Sequence, residues 1–474
     1  MKETASLLMF LALVLIGCQM FIPGNNETSA LPLKFTVEFV SEPLEQTTAF
    51  EPWGANKPRI AVGDITGDEQ PEVALARGGW VPSSRGNDPE DLFYGHPVIF
   101  SWNGETFKQL EADWVGISSY SELRLVYQAQ GLTKVLMITD VDHDGMNEIV
   151  IGSAPYRTAF QVRGAVYVFQ WDGTRFVAEF SDYCMGAVER LDLMTPREDG
   201  AIAVSTTMRP VWDLGRDAGM CPEVTKGPDE PNTGLYALRA IGANDYETWP
   251  LTLDSDSFTA LVAIPERLPG TQFVRLSLGK STMLDWTTSR VIRYDGQVRA
   301  SDLQIGIERP IMQMEAADLD GDGIDEIIVL AAAKSWDGGG LVEGDEVIWQ
   351  VFQAIQDRYH LVYEEPAAFS SNLGYIFRFF AVGDVDNDGR TEVISSAGEL
   401  YKWTNNQLVP QTNLIAAIGE DFYHGLESIY IGDVYGDGQN KVVFTARYFD
   451  SVEHRPALSP RMYVVRINYS VTGK

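Results

Sequence analysis

The chain has 474 residues, 45% of them hydrophobic, and carries 67 acidic against 36 basic side chains, for a net charge of −31. That length suits two or three ordinary domains or one large repeat fold, and the apolar share is ample for a core. The acidity excludes nucleic acid as a partner, because phosphates need a basic footprint, and it disfavours wide contact with an anionic membrane surface.

In chain order, the first feature is Lys2 followed by an apolar run, LLMFLALVLIG, that ends at Cys18. The run is too short to span a bilayer as a permanent helix and reads as a secretory signal. The stretch Leu15-Ile16-Gly17-Cys18 resembles a bacterial lipobox. That resemblance implies a signal peptide over residues 1–17, lipidation of Cys18, and a polar tether over 18–31 that holds the rest outside the cytoplasm on a membrane. A cleaved ordinary signal, or an uncleaved anchor, competes with it. Two further cysteines remain, Cys184 and Cys221. In an oxidising compartment they are expected to pair, and two free buried thiols are the alternative.

From residue 32 onward two patterns interleave. The first is an acidic loop between apolar, β-branched runs. AVGDITGDEQPEVALA places Asp64, Thr66, Asp68 and Glu72 at loop positions 1, 3, 5 and 9. TDVDHDGMNEIVIG places Asp140, Asp142, Asp144 and Glu148 at the same offsets. ADLDGDGIDEIIVL does so with Asp318, Asp320, Asp322 and Glu326, and AVGDVDNDGRTEVIS with Asp384, Asp386, Asp388 and Glu392. A fifth copy, IGDVYGDGQNKVVF, keeps Asp433 and Asp437 but has Tyr435 at position 3 and Lys441 at position 9.

One such loop is as readily a polar hairpin turn as a metal site. Repetition decides between them. A turn needs no oxygens at alternate positions, whereas Ca²⁺ takes six to eight hard oxygen ligands and gathers carboxylates spaced in this way. Position 7 varies freely (Gln70, Met146, Ile324, Arg390), as a residue lending only its backbone carbonyl would. Calcium is therefore expected at the Asp140, Asp318 and Asp384 loops and at the Asp64 loop. In the fifth, the Lys441 ammonium is positioned to replace the ion. His143 falls at a non-ligand slot and reads as an exposed turn residue.

The second pattern is strand, polar turn, strand. It recurs at 98–110, 166–180, 235–249, 291–301, 347–365, 399–411 and 461–469, often with a hairpin dipeptide such as Asn103-Gly104 or Asp172-Gly173. Two gaps in the acidic series, 187–207 and 260–279, keep the strand–loop–strand pattern without the carboxylates. The expectation is an all-β fold, a seven-bladed β-propeller of four-stranded blades over 32–474. The C-terminal unit lacks a last strand. KFTVEFVSEP (34–43) resembles the outer strand of an earlier unit and is predicted to close it.

DVDHDGMNEIVIGSAPYRTAFQVRGAVYVFQWDG is similar to an FG-GAP/VCBS repeat, the unit of the integrin α-chain propeller. It has the Asp-x-Asp-x-Asp-Gly loop, a GSAP stretch at 152–155 and the GAVYVF strand at 164–169. The resemblance implies fold and metal but no ligand. The acidic loops, joining first to second strands, should lie on one face. Longer connections at 77–97, 207–232, 333–346 and 447–460 should lie on the other. Their aromatic and cationic residues (Trp80, His96, Arg209, Trp212, Trp336, Tyr448, His454, Arg455) are candidates for binding a protein or glycan, against a role in packing blade tops.

No HExxH, nucleophile elbow, P-loop or CxxC pattern occurs. The leading expectation is thus a lipid-anchored, Ca²⁺-binding propeller at the cell surface with an adhesive loop face. The alternatives are a carbohydrate-active enzyme, lyase or hydrolase, with its site on that face, and a purely structural subunit of a surface assembly.

Overall fold

In the computed structural model, the described residues are 33–44, 60–76, 97–115, 132–154, 164–185, 187–193, 201–207, 234–242, 244–253, 258–264, 271–278, 286–294, 298–300, 304–305, 311–332, 347–355, 358–369, 378–420, 422–450, 455–456 and 460–469. They form seven sheets. The first contains Ile60–Gly63, Glu72–Leu75, Val98–Trp102 and Phe107–Gln109. The second contains Leu132–Thr139, Glu148–Ala154, Gly164–Trp171 and Arg175–Met185. The third is built from Ala187–Leu193, Ile202–Thr207, Gly234–Gly242 and Asp245–Leu253, and the fourth from Phe258–Ile264, Thr271–Leu278, Trp286–Tyr294 and Val298–Ala300. The fifth runs through Ile311–Ala317, Glu326–Ala332, Val347–Ile355 and Arg358–Pro366, and the sixth through Phe380–Gly383, Glu392–Ser395, Glu399–Thr404 and Gln407–Asn413. Phe422–Gly432, Lys441–Asp450 and Arg461–Tyr469 begin the seventh.

Within each of the first six sheets, successive strands pair antiparallel, so each sheet is a meander. The first strands of consecutive sheets adjoin, and the first strand of the seventh adjoins that of the first. That cyclic order is the order of a β-propeller. Phe35–Asn468 make one compact unit. The other, Met1–Lys34 with Tyr469–Lys474, lies mostly outside the described residues.

Alternation along each strand builds the core between sheets. Ile149 and Ile151 face the first sheet, packing with Ala61, Ala74 and Ile99. Val150, between them, faces the third sheet and packs with Val188, Ile202 and Val204. Ile60, Val73 and Val98 of the first sheet meet Val443, Met462 and Val464 of the seventh, so the same interleaving spans the closure. Each of the Val, Ile and Met side chains here contributes about 1.5–3 kcal/mol on leaving water, before entropy.

The N-terminal strand Leu33–Val40 is the outermost strand of the seventh sheet, beside Arg461–Tyr469. Ser41 N–H donates to the Met462 carbonyl at 2.9 Å, and Met462 N–H donates to Ser41 Oγ at 3.0 Å. Arg466 Nε pairs with Glu38 at 2.6 Å.

Three expectations need correction. The second and fifth sheets have five strands, because Asp113–Val115 and Gln304–Ile305 each add a short parallel strand outside the fourth. A short helix, Leu414–Ile418, is capped by Asn413, whose side chain accepts from Ala416 N–H. The 447–460 stretch is not wholly a loop. Residues through Asp450 continue the second strand, with Tyr448 opposite Phe422, and Arg455–Pro456 pair back on its end. Strand pairing, supplied by a neighbour invisible in local sequence, outweighs the polar composition there.

Candidate metal centres

Each acidic loop joins the first strand of a sheet to the second. Its geometry begins with the turn itself. The position-5 aspartate accepts the N–H of position 7 in every copy: Gln70 to Asp68 at 2.9 Å, Met146 to Asp144 at 2.7 Å, Ile324 to Asp322 at 2.8 Å, Arg390 to Asp388 at 3.0 Å, and Gln439 to Asp437 at 2.9 Å. Position 6 is left-handed, which is why glycine recurs there: Gly145, Gly323, Gly389 and Gly438 have φ of 92°, 82°, 83° and 74°. His143 is exposed at position 4 with φ of 63°, a turn residue as expected.

The position-9 glutamate starts the second strand and is buried in all four copies that have one. One of its oxygens accepts the position-2 N–H: Glu72 from Ile65 at 2.8 Å, Glu148 from Val141 at 2.6 Å, Glu326 from Leu319 at 2.9 Å, and Glu392 from Val385 at 3.0 Å. The other oxygen points into the loop.

Three loops bring carboxylates to one point. Asp140, Asp142, Asp144 and Glu148 each offer an oxygen, and these oxygens all lie within 4.8 Å of one another. Asp318, Asp320 and Glu326 do the same, as do Asp384, Asp386 and Glu392. Asp322 and Asp388 stand outside these groups. Both are held in the turn by the position-7 N–H.

Such crowding is costly without a cation. Burial, then the charges of Asp142, Asp140 and Asp144, push the Glu148 carboxyl up to about 8 against the Val141 hydrogen bond. Burial raises Glu326 to about 7, and burial with Asp386 raises Glu392 to about 7. Asp140 Oδ1, Glu148 Oε1, Glu326 Oε1, Glu392 Oε1 and both Asp386 carboxylate oxygens are buried without a hydrogen-bond partner. Buried carboxylate oxygens normally find partners, so these six fit a cation.

The other two loops are satisfied from within. In the Asp64 loop, Thr66 Oγ1 donates to Glu72 Oε1 at 3.4 Å and Ser101 Oγ donates to it at 3.1 Å. Asp64 is wrapped by the N–H groups of Gly67, Asp68 and Glu69. Its carboxylates are not among the gathered groups of the described residues. In the fifth loop the fully buried Lys441 ammonium lies 3.1 Å from Asp437 Oδ1 and 2.7 Å from the Gln439 carbonyl, the position-5 and position-7 ligand atoms. Tyr435 leaves the loop and packs on Trp102 and Phe107 of the first sheet, with centroids 4.5 and 5.4 Å apart.

Sequence reading missed one contributor: the third-strand residue beside position 9. Glu72 is directly opposite Ser101, and Glu392 is opposite Lys402. One residue beyond the Ile149–Phe169 and Ile327–Phe352 pairs stand Gln170 and Gln353. Each reaches the loop. Gln170 Nε2 donates to Asp144 Oδ2 at 2.8 Å, and Gln353 Nε2 to Asp320 Oδ2 at 2.7 Å. Lys402 Nζ lies 2.7 Å from Asp386, 2.8 Å from Asp388 and 3.1 Å from Glu392. The signal was present as a residue preceded by an aromatic on the third strand (Phe100-Ser101, Phe169-Gln170, Phe352-Gln353, Tyr401-Lys402), but it acquires meaning only with the register.

Adjacent loops are also joined. Asn147 Nδ2 donates to the Asp64 carbonyl at 2.7 Å, and Asn440 Nδ2 to the Asp384 carbonyl at 2.8 Å.

No protein-family model matches the chain, and no curated protein matches it. Among solved structures, Sqt1 of Saccharomyces cerevisiae is similar with a TM-score of 0.42 and 10% identity, over 92% of this chain and 99% of that one. A likeness that loose carries no argument, and the fold assignment stands on the sheet order.

Cys18, Cys221, Trp80, His96, Arg209, Trp212, Trp336 and His454 lie outside the described residues, as do the signal and tether segments. Cys184, Tyr448 and Arg455 are placed in strands only by their backbone.

Proposed function

We propose that this chain is an extracytoplasmic, lipid-anchored, Ca²⁺-binding β-propeller of the FG-GAP/VCBS kind, with seven blades that present a loop face to a protein or glycan. The observation that carries the calcium reading is the set of gathered carboxylates with orphaned, buried oxygens at Asp140, Glu148, Glu326, Asp386 and Glu392. Asp140, Asp142, Asp144 and Glu148 would hold one ion, and Asp318, Asp320 and Glu326 another. The ion supplies positive charge that cancels repulsion and fixes the turn between first and second strands, a structural role. The anchor rests on the Leu15–Cys18 stretch, and the binding face on the long connections opposite the acidic loops.

A thermal melt of the full-length chain in millimolar Ca²⁺ and in EGTA tests the calcium reading, beside an Asp140→Ala/Asp318→Ala double variant. Binding at 100 times Kd adds about 2.7 kcal/mol per site. A calcium-dependent rise in Tm that the variant loses is the expected result. Equal melts in both buffers would leave the loops as acidic turns.

A further inference from the structure

We infer that the third-strand residue beside position 9 decides which acidic loops take calcium, and that Lys402 closes the Asp384 loop as a built-in cation. This rests on the calcium reading above and narrows it to two ions per chain, at the Asp140 and Asp318 loops.

The loops make the comparison internally. The Asp140, Asp318 and Asp384 loops share ligand spacing, turn hydrogen bonds and a buried position-9 glutamate. They differ in what reaches in from the third strand. Gln170 and Gln353 are neutral, and each spends its amide N–H on one outer carboxylate oxygen. Glu148 Oε1 and Glu326 Oε1 then remain without a partner. In the Asp384 loop, Asp386 Oδ2 and Glu392 Oε1 likewise accept no hydrogen bond but lie 2.7 and 3.1 Å from the Lys402 ammonium, and Asp386 Oδ1 is left without a hydrogen-bond partner. Lys402 instead brings a full positive charge within 3.1 Å of three carboxylates at once. It does so from a side chain only 16% exposed.

A calcium ion needs its oxygens at about 2.3–2.6 Å on all sides. The Lys402 ammonium stands among those same oxygens, so an ion can enter only if the lysine leaves. The displaced ammonium would then be held beside a dication at the end of a short tether. Being part of the chain, the lysine also competes at a high effective concentration, which for a short link is in the millimolar range or above.

The fifth loop reaches the same result by another route. There the lysine comes from position 9 itself, and Lys441 Nζ takes the position-5 carboxylate and the position-7 carbonyl. Two loops thus carry an internal ammonium, drawn from different strands. The Asp64 loop needs neither, because hydroxyls from Thr66 and Ser101 satisfy Glu72.

The test is a count of bound calcium by flow dialysis on the full-length chain in mild detergent, with Ca²⁺ itself as the probe. Wild type should bind two ions. Lys402→Gln, which copies the residue of the two calcium loops, should bind three. The reciprocal change, Gln353→Lys, should reduce the count to one and still give a cooperative melt, so a folding failure in the first variant does not leave the matter open. Three ions in wild type, or unchanged counts in folded variants, would overturn the role of Lys402 while keeping calcium. No bound ion in any of the proteins would remove the calcium reading itself.

Discussion

Proton and calcium should compete for Glu148, and the consequence for stability can be worked from the structure. The Glu148 side chain is fully buried, and its carboxyl sits at about 8 in the folded, metal-free protein against an ordinary value of 4.5. Folding therefore raises this pKa. Between those two values the folded chain keeps a proton that the unfolded chain has released. The sign follows: Glu148 leaves stability intact below about pH 4.5 and lowers it steadily as pH rises to about 8. At about 1.4 kcal/mol per pH unit, the loss over that span approaches about 5 kcal/mol as an upper bound, which relaxation of the loop lowers. That is a large part of the 5–15 kcal/mol typical of a domain. Urea unfolding at pH 5 and pH 8 in calcium-free buffer should show the drop, and millimolar Ca²⁺ should remove the part due to Glu148 by holding its carboxylate charged. Glu148→Gln, which keeps an acceptor for Val141 N–H, should make the calcium-free profile shallower, leaving the slope that Glu326 and Glu392 contribute. A slope that persists undiminished in Glu148→Gln would refute the reasoning.

Other consequences are simpler. Lys441→Met strands Asp437 and the Gln439 carbonyl, and should cost about 3 kcal/mol, the low end for a broken buried pair because Asp437 is partly exposed. In urea titrations that loss should be the same with calcium and without it. Gly152→Ala places a Cβ 2.4 Å from Val188 Cγ1 and 2.5 Å from Val135 Cγ2, where the second and third sheets press together. Overpacking of this kind costs about 1–3 kcal/mol, read as a lower urea midpoint with unchanged slope. Asn440→Ala removes the bond to the Asp384 carbonyl and should cost about 1 kcal/mol. Asn387→Ala should cost a similar amount, because it removes the acceptor of the Asn440 backbone N–H, 2.6 Å away.

What sequence revealed here was local. Loop ligands separated by two residues, hairpin dipeptides and strand alternation all act within a dozen residues, so the loops, their place between first and second strands, and the all-β class could be read directly. Closure by the N-terminal strand was readable because 34–43 looks like the outer strand of another unit. Whatever depends on register was not. Lys402 precedes Trp403 in a strand with no acidic motif of its own, and only the pairing with Glu392 puts its ammonium among Asp386 and Asp388. The parallel additions Asp113–Val115 and Gln304–Ile305 escaped for the same reason: a three- or two-residue strand exists only by virtue of its neighbour. Tyr435 was legible as a defect in a ligand set, but not as a wedge against Trp102 of another sheet.

The closure of the seventh sheet also sets a timetable for biosynthesis. Leu33–Val40 is the first described strand to leave the ribosome, yet its partner begins at Arg461. Ser41 and Met462, which clasp the joint, are 421 residues apart. At 5–20 residues per second that gap is about 20–80 seconds of translation, during which the strand has no partner and both its edges stay open. A nascent chain halted before Arg461 would expose that strand and the unpaired flank of Lys441–Asp450 together, two adhesive edges of the kind that invite aggregation. Arrival of Arg461–Tyr469 is thus written into the hydrogen bonds that close the seventh sheet, and a protease that recognises loose edges could tell a closed molecule from an open one.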